Sequence, residues 1–116
     1  MRKFAISFCA LLLILLIGAF AFLEETLTFS DLEEKGLIYY KKGSTKPFSG
    51  RVAGKERGSA ALIVIGKFEN GLQEGLWEWY DEQANLFAKG MYEQGKRVGV
   101  WNWYDKSGKV TITEEY

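Results

Sequence analysis

The sequence has no histidine and a single cysteine, and each shortage removes a class of chemistry. Without imidazole there is no histidine general base and no histidine metal ligand. Cys9 lies within an apolar run near the start of the chain, so everything beyond it lacks a thiol nucleophile, a disulfide and the usual zinc ligands. Charge of one sign is also lacking: 15 basic residues stand against 15 acidic ones, and setting aside Arg2 and Lys3 leaves the remainder slightly acidic. Nucleic-acid binding needs Lys and Arg clustered on one face to displace counterions from phosphates, so it is not expected. No cofactor or metal is implied.

What is present begins with a basic dipeptide, Arg2-Lys3, followed by an uncharged stretch from Phe4 to Phe22. This reads as an export signal spanning residues 1–21, with Ala19-Phe20-Ala21 supplying the small-x-small pattern for cleavage after Ala21. An uncleaved anchor is its competitor, because the stretch comes close to the roughly 20 apolar residues that cross a bilayer. Either way the chain from Glu24 onward is expected outside the cytoplasm, as a periplasmic, secreted or membrane-tethered domain, since Arg2 and Lys3 favour the inner side. Contact with a membrane is expected only through this N-terminus.

Fewer than a hundred residues remain to fold, which is marginal for one compact core. The 13 glycines, four tryptophans, six tyrosines and eight phenylalanines suggest a repeat array packed on aromatics. Searching for internal similarity finds it. Gly66-Lys67-Phe68-Glu69-Asn70-Gly71-Leu72-Gln73-Glu74-Gly75-Leu76-Trp77-Glu78-Trp79-Tyr80-Asp81 recurs, without a gap and at an offset of 24 residues, as Gly90-Met91-Tyr92-Glu93-Gln94-Gly95-Lys96-Arg97-Val98-Gly99-Val100-Trp101-Asn102-Trp103-Tyr104-Asp105. A fainter earlier unit is placed by Tyr40, which precedes Gly50 by the same ten residues that separate Tyr80 from Gly90. The units are thus about 36–50, 66–90 and 90–116, with 51–65 an insertion or degenerate unit and 22–35 a linker or short lead-in.

The period inside each unit is two. Trp77 and Trp79 share one face of a strand while Glu78 takes the other, as do Trp101 and Trp103 about Asn102. Asn70-Gly71 is a strong two-residue turn signal and Gln94-Gly95 a weaker copy. Ala84-Asn85 and Ser107-Gly108 turn the chain again, with Leu86-Phe87-Ala88 and Val110-Thr111-Ile112 as return strands. The tryptophans are expected to form a ladder, Trp77 beside Trp101 and Trp79 beside Trp103, while Tyr80 and Tyr104 face the opposite way. Gly66, Gly75, Gly90 and Gly99 mark close approaches or sharp bends. Ala60 through Ile65, apolar throughout, is expected to be covered on both faces.

The pattern Gly-x-[Phe/Tyr]-x-[Asn/Gln]-Gly-x-x-x-Gly-x-Trp-x-x-Tyr resembles the variant MORN repeat (membrane occupation and recognition nexus) found in exported bacterial proteins and in the YwqK-type antitoxin-like family. The resemblance covers residues 36–116, including Tyr39-Tyr40 and Pro47-Phe48-Ser49-Gly50 as the opening. It departs at 51–65 and at Glu114, which stands where a further unit would begin with glycine. The resemblance implies an all-β, elongated, twisted antiparallel sheet of successive hairpins behind the N-terminal signal or anchor helix, used for binding rather than chemistry.

No catalytic constellation stands out. Asp81 and Asp105 recur at strand ends, where an aspartate accepts backbone hydrogen bonds and starts a turn. Lys41-Lys42 and Lys96-Arg97 fall short of a lipid-binding cluster and read as solvated strand ends. The aromatic ladder of Trp77, Trp79, Tyr80, Trp101, Trp103 and Tyr104, framed by the repeat glycines Gly66, Gly71, Gly75, Gly90, Gly95 and Gly99, is the candidate core or binding surface. The sequence therefore points to a non-enzymatic interaction module with an unknown protein partner in the cell envelope, of unspecified oligomeric state. The alternative is a structural protein contacting lipid or cell-wall glycan through an aromatic face. Residues 111–116 form a candidate edge strand that two glutamates protect or a partner's strand extends.

Overall fold

The computed structural model describes residues 24–116; the expected signal or anchor and its Ala19 and Ala21 cleavage positions lie outside the described residues. The chain is all-β. It runs through β1 (Glu25–Leu27), a 3₁₀ turn (Phe29–Asp31), β2 (Leu32–Lys35), β3 (Ile38–Lys41), β4 (Gly50–Glu56), β5 (Ser59–Glu69), β6 (Leu72–Tyr80), β7 (Leu86–Glu93), β8 (Lys96–Tyr104) and β9 (Val110–Glu115). Seven strands form one sheet in the order β1-β4-β5-β6-β7-β8-β9, antiparallel except for the β1–β4 pair, and β2 and β3 form a separate hairpin.

Local chemistry dictates the meander. Asn70 and Gly71 have φ of 51° and 81°, and Gln94 and Gly95 have 49° and 83°. Positive φ at both central positions matches the right-handed twist of the flanking strands, so β5 turns tightly into β6 and β7 into β8. At the opposite end Asp81 Oδ1 accepts the backbone N–H of Gln83 and Asn85, both at 2.9 Å, and Asp105 Oδ1 accepts those of Ser107 and Lys109 at 2.9 and 3.0 Å. The two aspartates are thereby committed to turns. Even the irregularities recur at the 24-residue offset: register shifts fall between Ile65 and Lys67 and between Lys89 and Met91, then between Trp79 and Tyr80 and between Trp103 and Tyr104.

The core sits at the N-terminal half of the sheet. Leu32, Phe48, Val52, Val64, Phe68 and Trp77 are buried together, with Leu27, Phe29, Tyr39, Trp79 and Tyr92 packed against them. The stretch 22–35 is therefore no linker from Glu25 onward: its apolar Leu27, Phe29 and Leu32 roof the sheet, and that burial orders it. The stretch 51–65 extends β4 and β5 into a long hairpin whose tip residue Arg57 reaches Phe29, Tyr39 and Glu34. Cover on both faces is not found there. Val64 is fully buried, but Ile65 on the opposite face is 39% exposed, because nothing among the described residues packs behind the sheet.

Candidate aromatic binding face

The first tryptophan of each repeat pair lies on a glycine. Gly66 on β5 has no side chain, and Trp77 from β6 fills the space a Cβ would need; Gly90 on β7 receives Trp101 from β8 in the same way. The indole N–H groups then donate to the backbone, Trp77 to the carbonyl of Lys67 and Trp101 to that of Met91, each at 3.2 Å. Phe68 meets Trp77 edge-on at 5.3 Å between ring centroids, and Tyr92 meets Trp101 likewise at 5.2 Å, both at 88°. Such edge contacts place a positive ring rim on a negative face. These side chains are seated structural elements first.

The expected lateral pairs, Trp77 with Trp101 and Trp79 with Trp103, are not formed. Each unit contributes two strands, so β7 separates β6 from β8 and equivalent residues stand about 10 Å apart, twice the strand spacing. The ladder instead runs diagonally: Trp77 to Trp79 at 6.0 Å, Trp79 to Trp101 at 5.6 Å and Trp101 to Trp103 at 6.1 Å, with Tyr92 between Trp77 and Trp101. Trp77 and Trp101 are sealed, whereas Trp79 and Trp103 are only partly buried. Tyr80 falls outside the ladder, beside Glu78 on the other face; burial and then that carboxylate raise its hydroxyl pKa. Tyr104 lines a separate depression with Asp81, Leu86, Phe87 and Asp105.

Above Trp79 and Trp103 lies a groove of about 360 Å³, walled by Phe29, Tyr39, Phe87 and the long β4–β5 hairpin. Two arginines border it. Arg57 lies 5.2 Å from the Tyr39 ring centroid and 5.7 Å from that of Phe29, and pairs with Glu34 at 3.0 Å. Arg97 lies 4.5 Å from Trp101, 5.4 Å from Tyr116 and 5.9 Å from Trp103, a cation held over three ring faces. Burial works against its charge, but hydrogen bonds to the Tyr92 and Tyr116 hydroxyls more than offset this, and its pKa is raised. Among the described residues Arg97 has no carboxylate within ion-pairing distance.

Comparison with protein-family models, with curated proteins and with solved structures gave no match for this chain. The site therefore rests on its own geometry.

The sequence placed the tryptophans on one face but missed Phe29, Tyr39 and Arg57, which arrive from outside the clear repeat. Lys96-Arg97, expected as a solvated strand end, divides: Lys96 pairs across the strand with Glu93, while Arg97 folds onto the rings. A signal was available. Position 97 corresponds to Gln73 one unit earlier, so the cation breaks the repeat at a place where Phe29 caps the earlier tryptophan, Trp77, at 6.2 Å. Lys41, by contrast, bonds Glu25 at 2.7 Å, which raises its pKa and makes it a tie between β1 and β3.

Proposed function

We propose that this chain is a non-enzymatic interaction module of the cell envelope, in the manner of the variant MORN repeats it resembles, and that its aromatic groove receives a protein partner. The observation that carries this reading is the contrast within the ladder: Trp77 and Trp101 are consumed by packing, while Trp79, Trp103 and the arginine-bordered groove between the walls remain open. Tryptophan, tyrosine and arginine are the residues that dominate binding energy at protein interfaces. The Asx-turn aspartates are held in hydrogen bonds that a catalytic carboxylate would have to give up. The export-signal reading of residues 1–21 places the module beyond the cytoplasmic membrane.

The test is recovery of a stoichiometric partner from envelope extract on the tagged chain, compared with Trp79→Ala and Trp103→Ala variants. Partner capture that both variants abolish supports the groove; capture that neither weakens removes it. The intact mass of the protein from fractionated cells reports cleavage after Ala21 in the same preparation.

A further inference from the structure

Among the described residues strand β9 is paired on one side only, and its open side can be read from the ladder. Gly99 and Tyr116 exchange both backbone hydrogen bonds, at 3.2 and 3.0 Å. Along an antiparallel pair such exchanging residues alternate with non-exchanging ones. Glu114 opposite Trp101 and Ile112 opposite Trp103 therefore bond inward to β8, and the N–H and C=O groups of Thr113 and Glu115 point away from the sheet. The 2.7 Å side-chain bond between Thr113 and Asn102 agrees, since non-exchanging pairs bring side chains closest. All six residues of β9 are exposed, and the edge carries no proline, no lysine and no covering loop among the described residues.

Another tryptophan unit cannot use this edge. Glu114 pairs with Trp101 as Gly90 pairs with Trp77, but it brings a side chain to the place where the repeat requires bare backbone. An ordinary extended strand has no such need. What the edge offers on its aromatic side is Arg97, which donates to the Tyr116 hydroxyl at 2.8 Å; that hydroxyl donates in turn to Glu114 Oε1 at 2.6 Å, and Arg97 itself is in direct contact with no carboxylate among the described residues.

We infer that β9 accepts an extended strand from the protein partner, and that Arg97 receives a carboxylate carried on the aromatic side of that strand, opposite Tyr116. This rests on the reading of the chain as a protein-binding module and names where and how the partner is held. Antiparallel or parallel addition satisfies the outward amides of β9, which neither a glycan nor a lipid can do in register. The guanidinium, which has no carboxylate in direct contact among the described residues, selects an acidic residue, because planar bidentate recognition of carboxylate is what arginine does best.

The probe is the acetylated, amidated heptapeptide Thr-Val-Thr-Glu-Thr-Val-Thr, with its Glu-to-Gln analogue, added to the ¹⁵N-labelled full chain recovered from the envelope. The expected result is slowed exchange of the Thr113 and Glu115 amides, little change at Ile112 and Glu114, and a shift of the Trp101 and Trp103 indole signals. Arg97→Gln is expected to weaken the Glu peptide about tenfold, the usual worth of one charge-assisted bond, and the Gln peptide hardly at all. Thr113→Pro removes an outward N–H at an edge position that tolerates proline and is expected to abolish addition, whereas Thr113→Ala retains it. No amide protection at millimolar peptide overturns the inference, as does binding indifferent to Thr113→Pro. Equal response to polygalacturonate or phosphatidylglycerol vesicles also overturns it, because anion alone would then suffice. Partner capture that depends on Trp79 but not on Thr113 leaves the groove reading standing and removes this one.

Discussion

Gly90→Ala tests the seating of tryptophan on glycine most directly. Gly90 does not adopt positive φ, so alanine fits the backbone and its added methyl acts only through what it meets. It meets Trp101 Cδ2, Cε2 and Cγ inside van der Waals contact. The indole, 1% exposed, has to lift. Uncovering one ring face, about half of the ~200 Å² a tryptophan buries, costs about 2.5 kcal/mol at ~25 cal/mol/Å². Losing the bond from Trp101 Nε1 to the Met91 carbonyl adds about 1 kcal/mol. The smaller entropy of an unfolded alanine offsets about 0.5–1 kcal/mol. The net loss is about 2.5–3 kcal/mol, or a fall in Tm of roughly 10–20 °C for a domain this size. Urea unfolding followed by tryptophan fluorescence measures it. Gly66→Ala is expected to cost more, because Phe29 lies over Trp77 and the ring has nowhere to rise. A loss below about 0.5 kcal/mol for Gly90→Ala, with an unchanged near-ultraviolet spectrum, would refute the argument, since surface substitutions alone reach that size.

Ala84 sits at φ of 68° where its repeat counterpart Gly108 has 91°; Ala84→Gly is expected to stabilise the fold by up to about 1 kcal/mol in the same unfolding assay. Asp81 and Asp105 have lowered pKa values, Asp81 chiefly through the Asn85 N–H and Asp105 chiefly through the Ser107 side chain. A depressed folded pKa means their stabilisation is complete above the unfolded value of 3.8 and fades as pH falls through the folded one. The pair of changes Asp81→Asn and Asp105→Asn should flatten the acid limb of a Tm-against-pH curve, and an unchanged limb would contradict the turn assignment. On the back of the sheet Leu76 and Met91 are 48% and 44% exposed cross-strand neighbours, so Leu76→Lys is expected to shift Tm little, within about 0.5 kcal/mol. A large loss there would reveal a covering partner in the purified protein.

The meander was legible because its determinants are local. Asn70-Gly71 and Gln94-Gly95 turn as their φ requirements dictate, and period-two alternation put the tryptophans on one face. What the sequence hid was long-range. The diagonal of the ladder depends on the intervening β7, and alternation within one strand carries no information about the next. The roof from Phe29 and Tyr39 was hidden too, since three- and four-residue strands leave too short a pattern to read. Arg97 was visible as a charge but not as a stacked one, because only the fold brings Tyr116 and Tyr92 around it.

The glycine seats have a bearing on how the chain finds its pairing. Strand registers that differ by two residues present the same faces and are hard to tell apart by polarity alone. Here a slip of two would push Trp77 onto Val64 or Phe68 instead of Gly66, and Trp101 onto Ala88 or Tyr92 instead of Gly90. Each indole thus works as a key that enters only where the backbone is bare. Misaligned hairpins are rejected one by one as they form, before any distant part of the chain has to arrive.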